Sequence, residues 1–354
     1  MHHPAPVSLD AIRAAIPARC FERRMAPSCL ALARSIGLCL AVLVLSSSMH
    51  VVAYALAQGT ALTGIWVVAH ECGHHAFSEY ARIDDAIGFV LHSALLVPYF
   101  SWQASHARHH AKIGHITQGE TWVPPTRAEM HLVAPIARAI GNRAYGALYL
   151  LGTLLGGWPA YLLLNATGGR ARRDGSLAPY WKPLGYDHFL PTSALFAPGL
   201  RLKVVASTAG CACTAYVVYA TWPVSLAYYV APLLVTNAWL VFYTLMHHTS
   251  PGVPHHGDGA WSWLSGAMGT VDRCYGVFDY VHHNIGSTHV VHHLFSHIPH
   301  YHAREATVHV KRALGSAYRH DARNVIQSAW EVATTCHFVD GIDGTQYFRS
   351  FGTK

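Results

Sequence analysis

Three short stretches carry the residues best suited to chemistry: His70-Glu71-Cys72-Gly73-His74-His75, His106-Ala107-Arg108-His109-His110 and His289-Val290-Val291-His292-His293. The last two share the pattern His-x-x-His-His. Positions i, i+3 and i+4 of a helix lie on one face, so each stretch aims three imidazoles in one direction. His70 and His74 are i, i+4 neighbours, with His75 beside them, whereas Cys72 at i+2 points away from that face. Nine convergent imidazoles exceed the four ligands of a single zinc ion and suit two ions with open positions. Imidazole also suits iron, and open positions beside histidines are where non-haem iron meets O2. The expected metal ligands are His70, His74, His75, His106, His109, His110, His289, His292 and His293, with His248 as a tenth because it ends a long apolar run. The first stretch also fits the His-Glu-x-x-His pattern of zinc proteases, with Glu71 as general base. A protease of that kind needs one further ligand, not six or seven. Metal-bound imidazoles need partners for their second ring nitrogen. Glu71, Glu79, Asp84, Asp85, Glu120, Asp272, Asp279, Asn284 and Glu305 are candidates.

The elements that position these residues belong to a membrane protein. The chain of 354 residues is 52% hydrophobic and only 12% charged, half the usual charged share of about 25%. Apolar material from Cys29 to Ala69, broken at Ser46-Ser47-Ser48, is long enough for two spans of roughly 20 residues each. A second run, Leu202 to Met246, divides at Trp222-Pro223, because proline is disfavoured inside helices. Four spans follow, over residues 29–48, 50–69, 202–221 and 224–246. Arg13, Arg19, Arg23, Arg24 and Arg34 account for much of the +7 net charge, and they place the N-terminus in the cytoplasm. Basic residues gathered at a membrane edge, not along a stripe, argue against nucleic-acid binding. Ala86–Phe100 is short for a span, and Tyr145–Asn165 carries Gly152, Gly156, Gly157 and Pro159. If the three stretches share one site they lie on one side of the membrane, so an even number of spans separates them. Both odd segments then read as interfacial or re-entrant. The eight cysteines form no Cys-x-x-Cys pair and read as reduced thiols. The whole chain reads as one domain: an all-α integral membrane protein, a four-span helical bundle under a cytoplasmic helical cap that holds two metal ions.

Longer stretches carry a resemblance. Trp66-Val67-Val68-Ala69-His70-Glu71-Cys72-Gly73-His74-His75-Ala76-Phe77-Ser78 resembles the first histidine box of the membrane fatty acyl desaturases, specifically the plant-type oleate (Δ12, omega-6) group. Leu96-Val97-Pro98-Tyr99-Phe100-Ser101-Trp102 is similar to that group's lead into its second box. Thr288-His289-Val290-Val291-His292-His293-Leu294-Phe295-Ser296 and Ile298-Pro299-His300-Tyr301-His302-Ala303 are similar to its third-box region. Departures are Ala107, where the family commonly has arginine, and Ser250, where it often has histidine. The resemblance implies a di-iron centre at these ten histidines and O2 as co-substrate. It also implies an acyl lipid as substrate and an oleoyl to linoleoyl conversion. Hydroxylase, acetylenase or conjugase activity on the same scaffold is the alternative. The chain has no nucleotide-binding glycine motif, so an external electron donor, cytochrome b5 or ferredoxin-like, is expected. The membrane is that of the endoplasmic reticulum if the source is eukaryotic and the inner membrane if it is bacterial.

Overall fold

Hydrocarbon offers backbone polar groups no partner but each other, so long apolar runs close into helices. The structure, a computed structural model, describes residues 8–172, 176–182 and 184–352, and these are mostly helical. The short α1 (Leu9–Ala15) and a 3-10 turn at Ala18–Phe21 precede α2 (Met25–Leu45) and α3 (Val51–Gly73). Next come α4 (Ala81–Ser93), α5 (Tyr99–Ala111), α6 (Val133–Ile140), α7 (Asn142–Leu164), α8 (Arg201–Ala220) and α9 (Ala231–His248). The remaining helices are α10 (Trp263–Ala267), α11 (Val277–Val281), α12 (His289–Leu294), α13 (His300–Leu314) and α14 (Val325–Thr335). Among the described residues, strand is confined to two-residue pieces. β1 (His255–His256) pairs antiparallel with Thr345–Gln346, and β2 (Asp272–Arg273) pairs parallel with His320–Asp321.

α3 and α9 form the central pair. They approach so closely at Gly59 that a Cβ there would stand 2.4 Å from the carbonyl oxygen of Pro232. Small residues permit this packing in lipid, where interhelical hydrogen bonds add cohesion. Thr236 Oγ1 donates to the Gly59 carbonyl at 3.0 Å, and Trp239 Nε1 donates to Thr60 Oγ1 at 3.0 Å. Around this pair, α2, α7 and α8 turn apolar side chains outward: Leu30, Val44, Leu151, Leu155, Leu202 and Val217 are all exposed. So large an apolar surface is unsuited to water and natural in a bilayer.

Five helical segments are long and apolar enough to cross a membrane: Met25–Ser48, Val51–Gly73, Asn142–Leu164, Pro198–Ala220 and Leu226–His248. Four correspond to the runs read as spans. The second and fourth extend past the expected ends at residues 69 and 246, which keeps His70 and His248 on helix. The fifth is α7, in the stretch read as re-entrant. Its length alone would allow a crossing, yet the chain that leaves it rejoins the loop leaving α5. The Thr167 carbonyl accepts from Val123 N at 2.9 Å, and the Thr117 carbonyl accepts from Arg170 N at 2.7 Å. The other odd stretch, Ala86–Phe100, divides between α4 and α5.

A cap covers one end of the bundle. Its core gathers Ile12, Ile16 and Cys20 from the N-terminal segment with Val290, Val291 and Leu294 of α12 and Ala306 and Val310 of α13. The arginine-rich N-terminal approach is therefore packed directly against the third histidine stretch.

Candidate metal centre

Four helices deliver imidazoles to one place. α3 brings His70 in its last turn and His74 at its C-cap. α5 brings His106, His109 and His110. α9 ends on His248, and α12 consists largely of His289, Val290, Val291, His292 and His293. The rings sort into two neighbouring groups. In the first, His106 Nε2 lies 2.9 Å from His70 Nε2, 2.9 Å from His74 Nε2 and 3.2 Å from His110 Nε2. His292 joins this group, its ring centroid 4.7 Å from those of His70, His74 and His110. In the second, His289 Nε2 lies 3.2 Å from His248 Nε2 and 3.1 Å from His293 Nε2, with His109 beside them. The groups meet where the His110 and His293 rings stack at 4.2 Å.

Hydrogen bonding among the rings cannot account for this arrangement. A neutral imidazole has one N–H, and a proton can bridge only one pair of nitrogens at a time. His106 Nε2 faces three others, so lone pairs are left pointing at lone pairs. Protonating the rings is no remedy. Burial first, then neighbouring imidazoles, holds His74, His106, His110, His289, His292 and His293 well below the usual range. Burial alone takes His109 down to about 3. The rings are neutral donors with free lone pairs, the form in which histidine binds metal. An ion about 2.1 Å from each nitrogen, with ligands at right angles, would separate neighbouring nitrogens by about 3.0 Å. The observed spacing of 2.9–3.2 Å matches. The donor set fits two imidazole-bound cations, one per group.

His75 is brought to neither group. α3 stops at Gly73, and His75 has a left-handed φ of 53°, which swings its ring away to Asp85 Oδ1 at 3.0 Å. His247 packs behind the second group, its ring stacked on His289 at 3.7 Å. Of the remaining histidines, His92 and His188 are fully buried. The His92 ring lies against Trp66 and Trp102, and His188 Nε2 meets Ser105 Oγ at 3.1 Å.

Two of the carboxylates expected to partner second ring nitrogens, Glu71 and Asp272, hold backbone and neighbouring elements instead. Glu71 accepts from His300 N at 2.6 Å and meets His300 Nδ1 at 2.5 Å, tying the end of α3 to the start of α13. Asp272 accepts from Val290 N at 2.8 Å and from Tyr318 Oη at 2.5 Å, which fixes the start of α12. Beside it, the buried Arg273 donates to the Met246 carbonyl near the end of α9 and pairs with Asp321. Apolar rings close the other side: Trp66 stacks on His70, Trp102 stacks on His106, and Trp158 and Leu162 pack behind them.

Comparison with known proteins agrees with this geometry. Residues 46–323 match the model of the fatty acid desaturase family. The chain is 40% identical to an oleoyl-12-hydroxylase of Ricinus communis, over 97% of this chain and 89% of that protein. It is 39% identical to a Delta(12)-acyl-lipid-desaturase of Punica granatum, over 96% and 88%. It is also 38% identical to an endoplasmic reticulum omega-6 fatty acid desaturase of Glycine max, over 96% and 89%. With the family model spanning most of the chain and relatives this similar along nearly all of it, the protein belongs to the fatty acid desaturase family.

Proposed function

We propose that this protein is an O2-dependent, di-iron acyl-lipid desaturase that introduces a Δ12 double bond into oleoyl chains to give linoleoyl chains. The observation that carries the reading is the pair of neutral imidazole groups, buried where α3, α5, α9 and α12 meet at the end of an apolar bundle. His70, His74, His106, His110 and His292 would hold one iron, and His109, His248, His289 and His293 the other. Iron bound there supplies the oxidising power to remove hydrogen from an unactivated chain, chemistry that protein side chains lack. The protein's share is placement. Glu71 and Asp272 fix the helix ends that carry ligands, and Arg273 anchors the end of α9. The buried rings of Trp66, Trp102 and Trp158 exclude water from their side of the first histidine group. Electrons come from an external donor of cytochrome b5 or ferredoxin type, and the substrate is an acyl chain of a membrane lipid. The membrane is the endoplasmic reticulum in a eukaryotic source and the inner membrane in a bacterial one.

A second reading has support of its own, because one relative at 40% identity is named as a 12-hydroxylase. Expression in cells that make oleate but no dienes separates the two. A 9,12-diene that appears only with O2 and a working donor supports desaturation. A hydroxylated acyl chain as main product moves the assignment to the hydroxylase. No new lipid from iron-loaded protein with donor present refutes both.

A further inference from the structure

Beside the second histidine group lies a narrow slot that it shares with Glu120, His115, Trp122 and His255. It has room for about one water and not for an acyl chain. Glu120 is fully buried, and only one of its oxygens is bonded: Oε2 accepts from Arg108 Nη1 at 3.2 Å, while Oε1 has no partner. Trp122 Nε1, His109 Nδ1 and His255 Nδ1 are likewise buried without partners. Four orphaned polar atoms on residues around one water-sized space are what an internal water bridge requires. The carboxyl also has a route outward, because the Arg108 side chain that holds it is 41% exposed.

We propose that Glu120 delivers protons, through water in this slot, to the oxygen chemistry at the second histidine group. The inference rests on the function proposed above. Desaturation converts R–CH2–CH2–R′, O2, two electrons and two protons into R–CH=CH–R′ and two waters. Two C–H bonds and the O–O bond break, the external donor supplies the electrons, and solvent supplies both protons. Hydroxylation consumes the same two protons, so the role holds for either product. The clustered imidazoles are poor proton carriers: burial holds those of His74, His106, His109, His110, His289, His292 and His293 neutral, and the Nε2 atoms of seven of the rings are turned on one another. Glu120 is suited to the task. Burial pushes its carboxyl up to about 7, against the pull of Arg108 and Lys182, so it both holds and gives up a proton near neutrality. The groups facing it are those two cations, the phenol of Tyr161 and the imidazoles of His109, His115, His248 and His255.

The test compares wild type with Glu120→Gln and Glu120→Asp in membranes supplied with donor and O2. Iron per chain, diene formed per O2 consumed, and the pH profile are measured. In Glu120→Gln the iron should stay, diene formation should fall about 100-fold, and O2 consumed should appear as released reduced oxygen. The wild-type rate should fall as the pH rises through about 7 and the carboxyl loses its proton, an inflection absent from the glutamine variant. Aspartate should restore part of the rate. In metal-free protein, infrared spectra should show a protonated carboxyl near neutral pH that Glu120→Gln removes. Wild-type yield and pH profile in Glu120→Gln would overturn the proposal, as would loss of iron in step with activity or an unchanged carboxyl band. If wild-type protein itself forms no product, the reading of function fails, and the infrared arm still decides whether Glu120 holds the proton.

Discussion

Asp272 should be worth more to the metal centre than any residue outside it. It is fully buried, one oxygen accepts from the Val290 amide and the other from the Tyr318 hydroxyl. α12 is only six residues long and has no side-chain cap of its own, so this carboxylate, reaching across from β2, satisfies amide groups at the end that carries His289. A hydrogen bond to a charged group contributes about 1.5–3 kcal/mol, and a buried amide left without a partner costs a similar amount. Asp272→Ala removes two such bonds, so the expected loss is about 3–6 kcal/mol, a large part of the roughly 5–15 kcal/mol that holds a typical domain. Asp272→Asn keeps an oxygen for the Val290 amide and escapes the cost of burying a charge, a cost visible in the upward push of the carboxyl to about 6. Its loss should be about 1–2 kcal/mol. Iron per chain and thermal unfolding of detergent-purified protein read both effects. Alanine should lower iron and Tm sharply, and asparagine should keep most of each. An alanine variant with wild-type iron and Tm would refute the claim that Asp272 holds α12 in place.

Three further outcomes follow from the same structure. His74→Ala should lose iron and product, whereas His75→Ala should keep iron, because the His75 ring rests on Asp85; equal iron loss in both would put His75 back among the ligands. Accessibility tags at the N-terminus, in the 250–259 linker and near Ala171 should all report the same side of the membrane, since the chain after α7 rejoins the loop after α5. A tag near Ala171 on the opposite side would make α7 a true span. Gly59→Ala should destabilise the protein by about 1–3 kcal/mol through overpacking against Pro232 and Val235, read as a lower Tm in detergent, while Gly152→Ala, which meets nothing, should not.

The spacing of the histidines made most of this site legible, because His-x-x-His-His fixes a helix face wherever the helix continues through it. That condition holds in α5 and α12. It fails just past α3: Gly73 ends the helix, His74 still reaches the site as the C-cap, and the left-handed turn at His75 separates that ring from the His70 and His74 beside which the sequence had set it. Four of the five long apolar helices were legible from apolar length, and α7 resisted for the complementary reason. Its length and composition match a span, and the bonds from Val123 N to the Thr167 carbonyl and from Arg170 N to the Thr117 carbonyl show where its far end returns. Partners distant in sequence were the least legible. Glu71 stands inside the first histidine stretch, where a ring nitrogen or a protease mechanism would claim it, yet it holds His300, 229 residues away. No local pattern encodes such a pairing.

The disposition of charge follows from the same logic. A chain with few charged residues has placed several of them at the ends of the helices that carry ligands: Glu71 ties α3 to α13, Asp272 holds α12 and Arg273 holds α9. Among the described residues, no carboxylate bonds directly to any of the nine clustered rings, although such support is common at histidine–metal sites. A carboxylate hydrogen-bonded to a ring would raise its basicity and partly offset the charge of a bound cation. Without it, neutral donors leave that charge undiminished. The rings must then be aimed by other means, and backbone anchoring of short helices together with stacking on Trp66, Trp102 and His247 supplies them. Substitutions at Glu71, Asp272 and Arg273 should therefore disturb the centre through helix position, and at Glu120 through proton supply, so iron content separates the two kinds of defect.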